Sequence, residues 1–196
     1  MERAAVKPGL FALPNVLTYG RIAAVPALAA CFLLLPTDRG RWLSLAIFVV
    51  ACITDWLDGY LARSWSQQST LGRMLDPIAD KLLVGTALLL LVYDNTIDHW
   101  TILAALIILC REILVSGLRE FLAELNKTVH VTQLAKWKTM LQMVALGVLI
   151  AGPAGDRLVG GGISATGTAL LWIAAVLTLY TGYDYLKAAV TYALEH

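Results

Sequence analysis

The chain has 196 residues, of which 59% are hydrophobic and 15% charged, with a formal net charge of +1. Soluble domains carry about 45–50% apolar and about 25% charged residues, so a mean hydropathy of +0.71 excludes a water-solvated globule and points to the bilayer as solvent. The near-neutral charge leaves no broad basic surface for nucleic acid.

In chain order, six apolar runs are read as membrane-crossing helices: residues 16–36, 42–62, 77–94, 99–122, 137–152 and 163–187. Each approaches the ~20 residues needed to cross hydrocarbon once polar residues are allowed at one end. The first run lacks a small-residue cleavage site and is followed by further spans, so it is read as a span and not as a secretory signal. Turn signals separate the runs at Pro36-Thr37-Asp38, at Asp94-Asn95 and across the glycine-rich 152–162 stretch. Pro77 suits the first turn of the third helix, with Asp76 at or near its cap. Short alternating strands are absent, which excludes a barrel. The expected fold is therefore all-α, polytopic and a single domain over residues 1–193. Leu194-Glu195-His196 has the look of a tag remnant. Cys31, Cys52 and Cys110 lie singly in apolar runs and are read as buried small hydrophobes, without a disulfide framework or zinc site.

Lys and Arg crowd the side that holds both termini and the 63–76 and 123–136 connections, while Arg39, Arg41 and Arg157 face the other side. That bias places the termini in the cytoplasm. Trp42, Trp65, Trp100 and Trp137 near span ends suit interfacial anchors. The intramembrane polar groups share the same side: Arg21, Asp55, Asp58, Asp80, Lys81, Arg111, Arg119, Lys136 and Lys138. Ionisable residues at membrane depth line cavities or pathways. Because these stop partway through the spans, the expectation is a cytoplasm-facing pocket with an apolar floor.

The stretch from Thr54 to Asp80 carries the sharpest signal. On a helix, Asp55, Asp58, Gly59, Ala62 and Arg63 fall within an arc of roughly 140°. Gly72, Asp76 and Asp80 follow at four-residue steps, which puts the two carboxylates on one helical face. Four converging carboxylates would repel one another, and divalent cations that prefer oxygen ligands would relieve the repulsion. With no His or Cys in the pattern, Mg²⁺ or Mn²⁺ fits better than zinc. Two such ions about 4 Å apart, with Arg63, would clamp a diphosphate. Small residues at 59 and 62 would let a nucleotide approach the helix backbone. The bland alternative has the aspartates neutralised by Arg63, Arg73 and Lys81.

Asp55-xx-Asp58-Gly59-xx-Ala62-Arg63, then eight residues, then Gly72-xxx-Asp76-xxx-Asp80 resembles the signature of the CDP-alcohol phosphotransferases at every position. The resemblance implies that Asp55, Asp58 and Asp76 bind the metals, and that Asp80 completes the site and acts as general base. It further implies that Gly59, Ala62 and Arg63, with Gly72, hold the CDP moiety. Leu13-Pro14-Asn15-Val16-Leu17-Thr18 leading to Arg21 is similar to family members as well, which sets Asn15 and Thr18 at the nucleotide site. The implied reaction is attack by an alcohol on a lipid-bearing phosphorus with CMP leaving, and the implied assembly is a homodimer.

The choice of alcohol rests on other residues. Arg111 and Arg119 lie nearly two turns apart on similar faces, and Lys136 and Lys138 add ammonium groups at the same membrane side. A cationic pocket distinct from the aspartates suits an acceptor that carries its own phosphate. The wording of both stretches, with Gln142, resembles family members that use glycerol 3-phosphate with CDP-diacylglycerol. That resemblance implies an enzyme of phosphatidylglycerol and cardiolipin synthesis at the inner membrane. The structural alternatives are pairing of Arg111 and Arg119 with Glu112 and Glu120 or their snorkelling to headgroups, and positive-inside anchoring for Lys136 and Lys138. His99 and His130 are read as solvated loop residues and the 160–162 glycines as a flexible turn. Three functional rivals remain: the same family with inositol phosphate, serine or phosphatidylglycerol as acceptor, a non-enzymatic CDP-lipid-binding scaffold, which leaves Asp80 unexplained, and a divalent-cation transporter. The transporter would need polar groups through the whole depth, yet the third span continues as Leu82-Leu83-Val84-Gly85 and stays apolar.

Overall fold

A computed structural model of the chain describes residues 13–65, 70–124 and 133–195. The described residues form helices and no strand: α1 (Leu13–Leu34), α2 (Thr37–Trp65), α3 (Thr70–Tyr93), α4 (Thr101–Glu124), α5 (Gln133–Val159) and α6 (Ile163–Glu195). They follow the six apolar runs in order. Five stretches are long and apolar enough to cross a membrane, namely Asn15–Leu34, Thr37–Leu57, Thr101–Ala123, Trp137–Val159 and Ile163–Lys187. The chain is a multi-pass membrane protein. α3 is not among the five, because Asp76, Asp80 and Lys81 in its first half leave too short an uncharged stretch after them.

Several expected boundaries move. The 63–76 connection is largely helical: α2 runs on to Trp65 and α3 starts at Thr70. Pro77 therefore sits inside α3 and not in its first turn. A proline lacks the N–H that would close a bond to the carbonyl four residues back, a defect membrane helices accommodate. Thr37 and Asp38 open α2 instead of forming a loop. The 152–162 stretch is a kink followed by a turn. Gly152 leaves helical geometry at φ 29, ψ −118, and the helix resumes from Pro153 to Val159.

The reversal into α6 uses Gly160, Gly161 and Gly162 at φ 83, 113 and 97, a region open to glycine and strained for other residues. It is pinned and not a loose turn. Asp156 accepts hydrogen bonds from Ile163 N at 2.6 Å and Ser164 N at 3.3 Å, and the Ser164 hydroxyl donates to it as well, which caps α6.

The chain divides into two compact units, Met1–Thr86 and Ala87–His196. In the first, α1 packs on α2 around buried Leu28, Phe48 and Ala51, and Ser44 Oγ donates to the Leu28 carbonyl at 3.2 Å. The hairpin closes on Gly40, where a Cβ would meet the Cys31 carbonyl at 2.6 Å. In the second, α6 packs on both α4 and α5 around Ile108, Leu146, Leu149, Leu171 and Ala174. Large apolar side chains such as Trp56, Leu89, Ile113 and Val176 are exposed, as lipid-facing residues are. Trp42, Trp100 and Trp137 are exposed too, whereas the Trp65 side chain lies outside the described set. Cys31 and Cys52 are half-buried and Cys110 is exposed, so none is the core residue expected. His99 is solvated beside Asp98, and His130 lies outside the described residues.

Candidate active site

Thr18 and Arg21 stand three residues apart on α1, and both are buried. A buried guanidinium at membrane depth requires partners, and α2 and α3 supply them. Arg21 Nη1 lies 2.9 Å from Asp55 Oδ1 and 3.1 Å from Asp80 Oδ1, so those two oxygens are no further apart than the sum, 6.0 Å. Thr18 Oγ1 donates to Asp76 Oδ1 at 2.6 Å. One turn of α1 thus gathers carboxylates from α2 and α3 that are up to 25 residues apart in sequence. The Arg21 side chain is wholly enclosed, while those of Asp55 and Asp80 are 45% and 41% exposed. The cation is at the back of the site and the carboxylates present open faces.

Near the end of the α2 span the Thr54 hydroxyl donates back to the Ala51 carbonyl at 2.8 Å, directly before Asp55. Asp58, Gly59, Ala62 and Arg63 continue α2 by one to two turns, and their side chains lie outside the described set. Gly72 is buried on α3, one turn before Asp76. Asn15 is buried one turn before Thr18. Lys81 donates to the Pro77 carbonyl at 3.0 Å. Of the sequence-derived metal ligands, then, Asp55 and Asp80 share Arg21, and Asp76 is bonded to Thr18 one turn earlier on α1. Thr18, assigned to the nucleotide by resemblance, gives its hydroxyl to a carboxylate.

The donor set fits Mg²⁺ or Mn²⁺ by its chemistry, since it consists of carboxylate and hydroxyl oxygens with no imidazole. Among the described residues no three carboxylates, imidazoles or thiols are gathered closely enough to enclose an ion by themselves. The fourth aspartate of the pattern, Asp58, is outside that set. A cavity of about 660 Å³ opens between α1 and α2, lined by Gly20, Ala23, Ala24, Ala46 and Val50, with Arg21 and Thr54 in its wall.

The second unit holds a cluster of opposite sign. Glu112 Oε1 accepts from Arg111 Nη1 at 3.3 Å and also from Lys138 Nζ. Arg111 Nη2 reaches across to Thr181 Oγ1 at 3.2 Å, which ties α4 to α6. The close approach needs Gly182, where a Cβ would stand 3.1 Å from Arg111 Cγ. Arg119 lies over the Tyr185 ring at 5.8 Å. Of the four expected phosphate-binding cations, Arg111 and Lys138 are joined through Glu112, Arg119 stacks one face further along α4, and the Lys136 side chain is outside the described residues.

Two residues do more than their sequence context indicates. Arg21, expected beside the nucleotide, is paired with the carboxylates of Asp55 and Asp80; an arginine starting a membrane span is itself the signal for such partners. Glu112, expected only as a neutraliser of Arg111, also takes Lys138 from another helix.

The sequence model of the CDP-alcohol phosphatidyltransferase family matches residues 11–180. The chain belongs to that family. Among its relatives is a protein of Rickettsia bellii, 47% identical over 92% of this chain and 96% of its own length. A relative from Cereibacter sphaeroides is 40% identical over 93% and 97%, and one from Salmonella choleraesuis is 42% identical over 91% and 95%. All three are named CDP-diacylglycerol–glycerol-3-phosphate 3-phosphatidyltransferase. As a CDP-alcohol phosphatidyltransferase, the chain carries both the carboxylate site and the cation cluster inside the family match.

Proposed function

We propose that this chain transfers the phosphatidyl group of CDP-diacylglycerol to the primary hydroxyl of glycerol 3-phosphate, giving phosphatidylglycerophosphate and CMP. The observation that carries the proposal is the Arg21 bracket, which holds Asp55 and Asp80 side by side with open faces, in a chain 40–47% identical to relatives bearing that enzyme name.

In the proposed reaction the hydroxyl oxygen forms a bond to the lipid-bearing phosphorus, and the bond from that phosphorus to the CMP oxygen breaks. The hydroxyl proton passes to Asp80, and CMP leaves with the bonding pair. Arg21 fixes Asp80 for that transfer, and Thr18 orients Asp76. Mg²⁺ or Mn²⁺ held by Asp55, Asp58, Asp76 and Asp80 would supply neutralisation of the diphosphate and of the developing charge. Gly59, Ala62, Arg63 and Gly72 are proposed to receive the CMP portion, with Asn15 and Thr18 backing the site. The apolar α1–α2 cavity suits the lipid part of the donor. Arg111, Arg119, Lys136 and Lys138 are proposed to take the acceptor's phosphate.

The same proposal has six crossings, residues 1–193 as one transferase domain, both termini and the active site at the cytoplasmic face of the inner membrane, and a homodimer. The positive-inside bias supports the orientation, and the family match across both units supports the single domain. The test is CMP release from CDP-diacylglycerol with a panel of acceptors. Glycerol 3-phosphate should be used in strong preference to glycerol, serine and inositol phosphate, and preference for another acceptor would refute the assignment.

A further inference from the structure

Two of the four cations offered to the acceptor's phosphate, Arg111 and Lys138, are already bonded to a carboxylate. Lys138 is 2% exposed, so its ammonium has little water around it, and Glu112 Oε1 is its charged partner. The same oxygen takes Arg111 Nη1. Glu112 itself is less deeply enclosed, with 24% of its side chain exposed. Arg111 also bonds to Thr181 and packs against Gly182, so it keeps a second partner when Glu112 turns away, and Glu112 is the most exposed of the three side chains.

We infer that Glu112 is a specificity-determining counter-ion, which occupies the acceptor-phosphate position and must be displaced by the incoming phosphate. A buried cation without an anion is unfavourable, so in the empty site Glu112 stabilises Lys138 and Arg111. A phosphate brings more charge and three acceptor oxygens, and can replace it. A bare anion, however, has to overcome the same carboxylate without further contacts. A polyol phosphate can make those contacts. Gln142 Oε1, Thr178 Oγ1 and Tyr185 Oη are buried and lack hydrogen-bond partners among the described residues. They lie one turn from Lys138 on α5 and one turn to either side of Thr181 on α6. Hydroxyl groups on the acceptor would satisfy such atoms, offsetting the displacement of Glu112, and inorganic phosphate cannot do so to the same extent. Glu112 thereby discriminates against simple anions.

The inference rests on the proposed acceptor, and the experiment separates the two. CMP release by the wild type is measured first with glycerol 3-phosphate and with glycerol; equal use of both refutes the acceptor assignment alone. Inhibition by inorganic phosphate is then measured at subsaturating glycerol 3-phosphate in wild type, Glu112→Gln and Glu112→Asp. With the counter-ion removed, inhibition by phosphate should tighten about tenfold or more in Glu112→Gln. It should tighten by a smaller factor in Glu112→Asp, whose shorter side chain reaches the cations less well. The KM for CDP-diacylglycerol should stay the same. If Glu112→Gln does not fold, the aspartate variant carries the test. Phosphate inhibition that is unchanged or weaker in the folded variants would overturn the inference, because a merely structural Glu112 would weaken anion binding as the cations lose their positions.

Discussion

The two polar clusters are built with opposite charge logic. In the first unit one enclosed guanidinium, Arg21, sits between two half-exposed carboxylates, Asp55 and Asp80. In the second unit one carboxylate, Glu112, sits between two cations, of which Lys138 is buried. In each, the minority charge holds the majority charges close against their repulsion, and the majority charge defines what can bind. The aspartate cluster is left acidic and suits cations. The Arg111–Glu112–Lys138 cluster is left basic and suits phosphate. The burial is reversed as well. The Arg21 side chain is wholly enclosed, whereas Glu112 is the most accessible member of its cluster. The first arrangement reads as a fixed scaffold and the second as an exchangeable partner.

Substitutions can break or sharpen that contrast. The largest effect is expected at the scaffold's reacting end. Asp80→Asn should lower kcat by about 10²–10⁴-fold, the range of general-base catalysis, while CDP-diacylglycerol still binds. Lost binding with kcat spared would make Asp80 a ligand and not a base. In the basic cluster, Arg111→Ala or Lys138→Ala should raise the KM for glycerol 3-phosphate by about tenfold or more, from the loss of one charge-assisted bond of roughly 1.5–3 kcal/mol. The KM for CDP-diacylglycerol should hold in the same assays. Unchanged glycerol 3-phosphate kinetics in both variants would make these cations structural anchors.

Thr18→Val removes only the neutral hydroxyl from Asp76. It should cost about 1 kcal/mol, read as a roughly fivefold higher metal requirement for CMP release. The smallest effect is expected for Gly182→Ala, whose methyl group meets a flexible arginine stem at 3.1 Å. A glycerol 3-phosphate KM shift of under about 1 kcal/mol, the low edge of overpacking costs, would fit a side chain that can yield. A larger loss would show Arg111 to be fixed more rigidly than its bonds to Glu112 and Thr181 imply.

What is legible in the sequence follows from the range of each signal. The six helices and their order can be read because apolar length is a local property, and the aspartates because their spacing is helical. The helix ends are less legible. A proline at 77 is locally the mark of a helix start, yet α3 continues through it from Thr70 because the flanking turns are helical on both sides. The contacts that organise the sites are not legible. Arg21 meets Asp80 across 59 residues of chain, Thr18 meets Asp76 across 58, and Lys138 meets Glu112 across 26. No periodicity encodes such pairings. Only the cost of leaving an arginine or lysine unpaired at membrane depth announces that a partner must exist. The glycines at 160–162 look loose in the sequence for a more local reason: Asp156, which pins their turn, lies in the last turn of the preceding helix and reaches across them to Ile163 and Ser164.

The most direct test of the acidic site is CMP release followed against Mn²⁺ or Mg²⁺ after chelation, at saturating CDP-diacylglycerol and glycerol 3-phosphate. The wild type should be silent in excess EDTA and recover fully when either ion is restored, while Asp55→Asn and Asp76→Asn, still folded in detergent, should not recover. Full turnover by the wild type in excess EDTA would contradict the central claim that the Arg21-bracketed carboxylates act as a metal-dependent phosphoryl-transfer site.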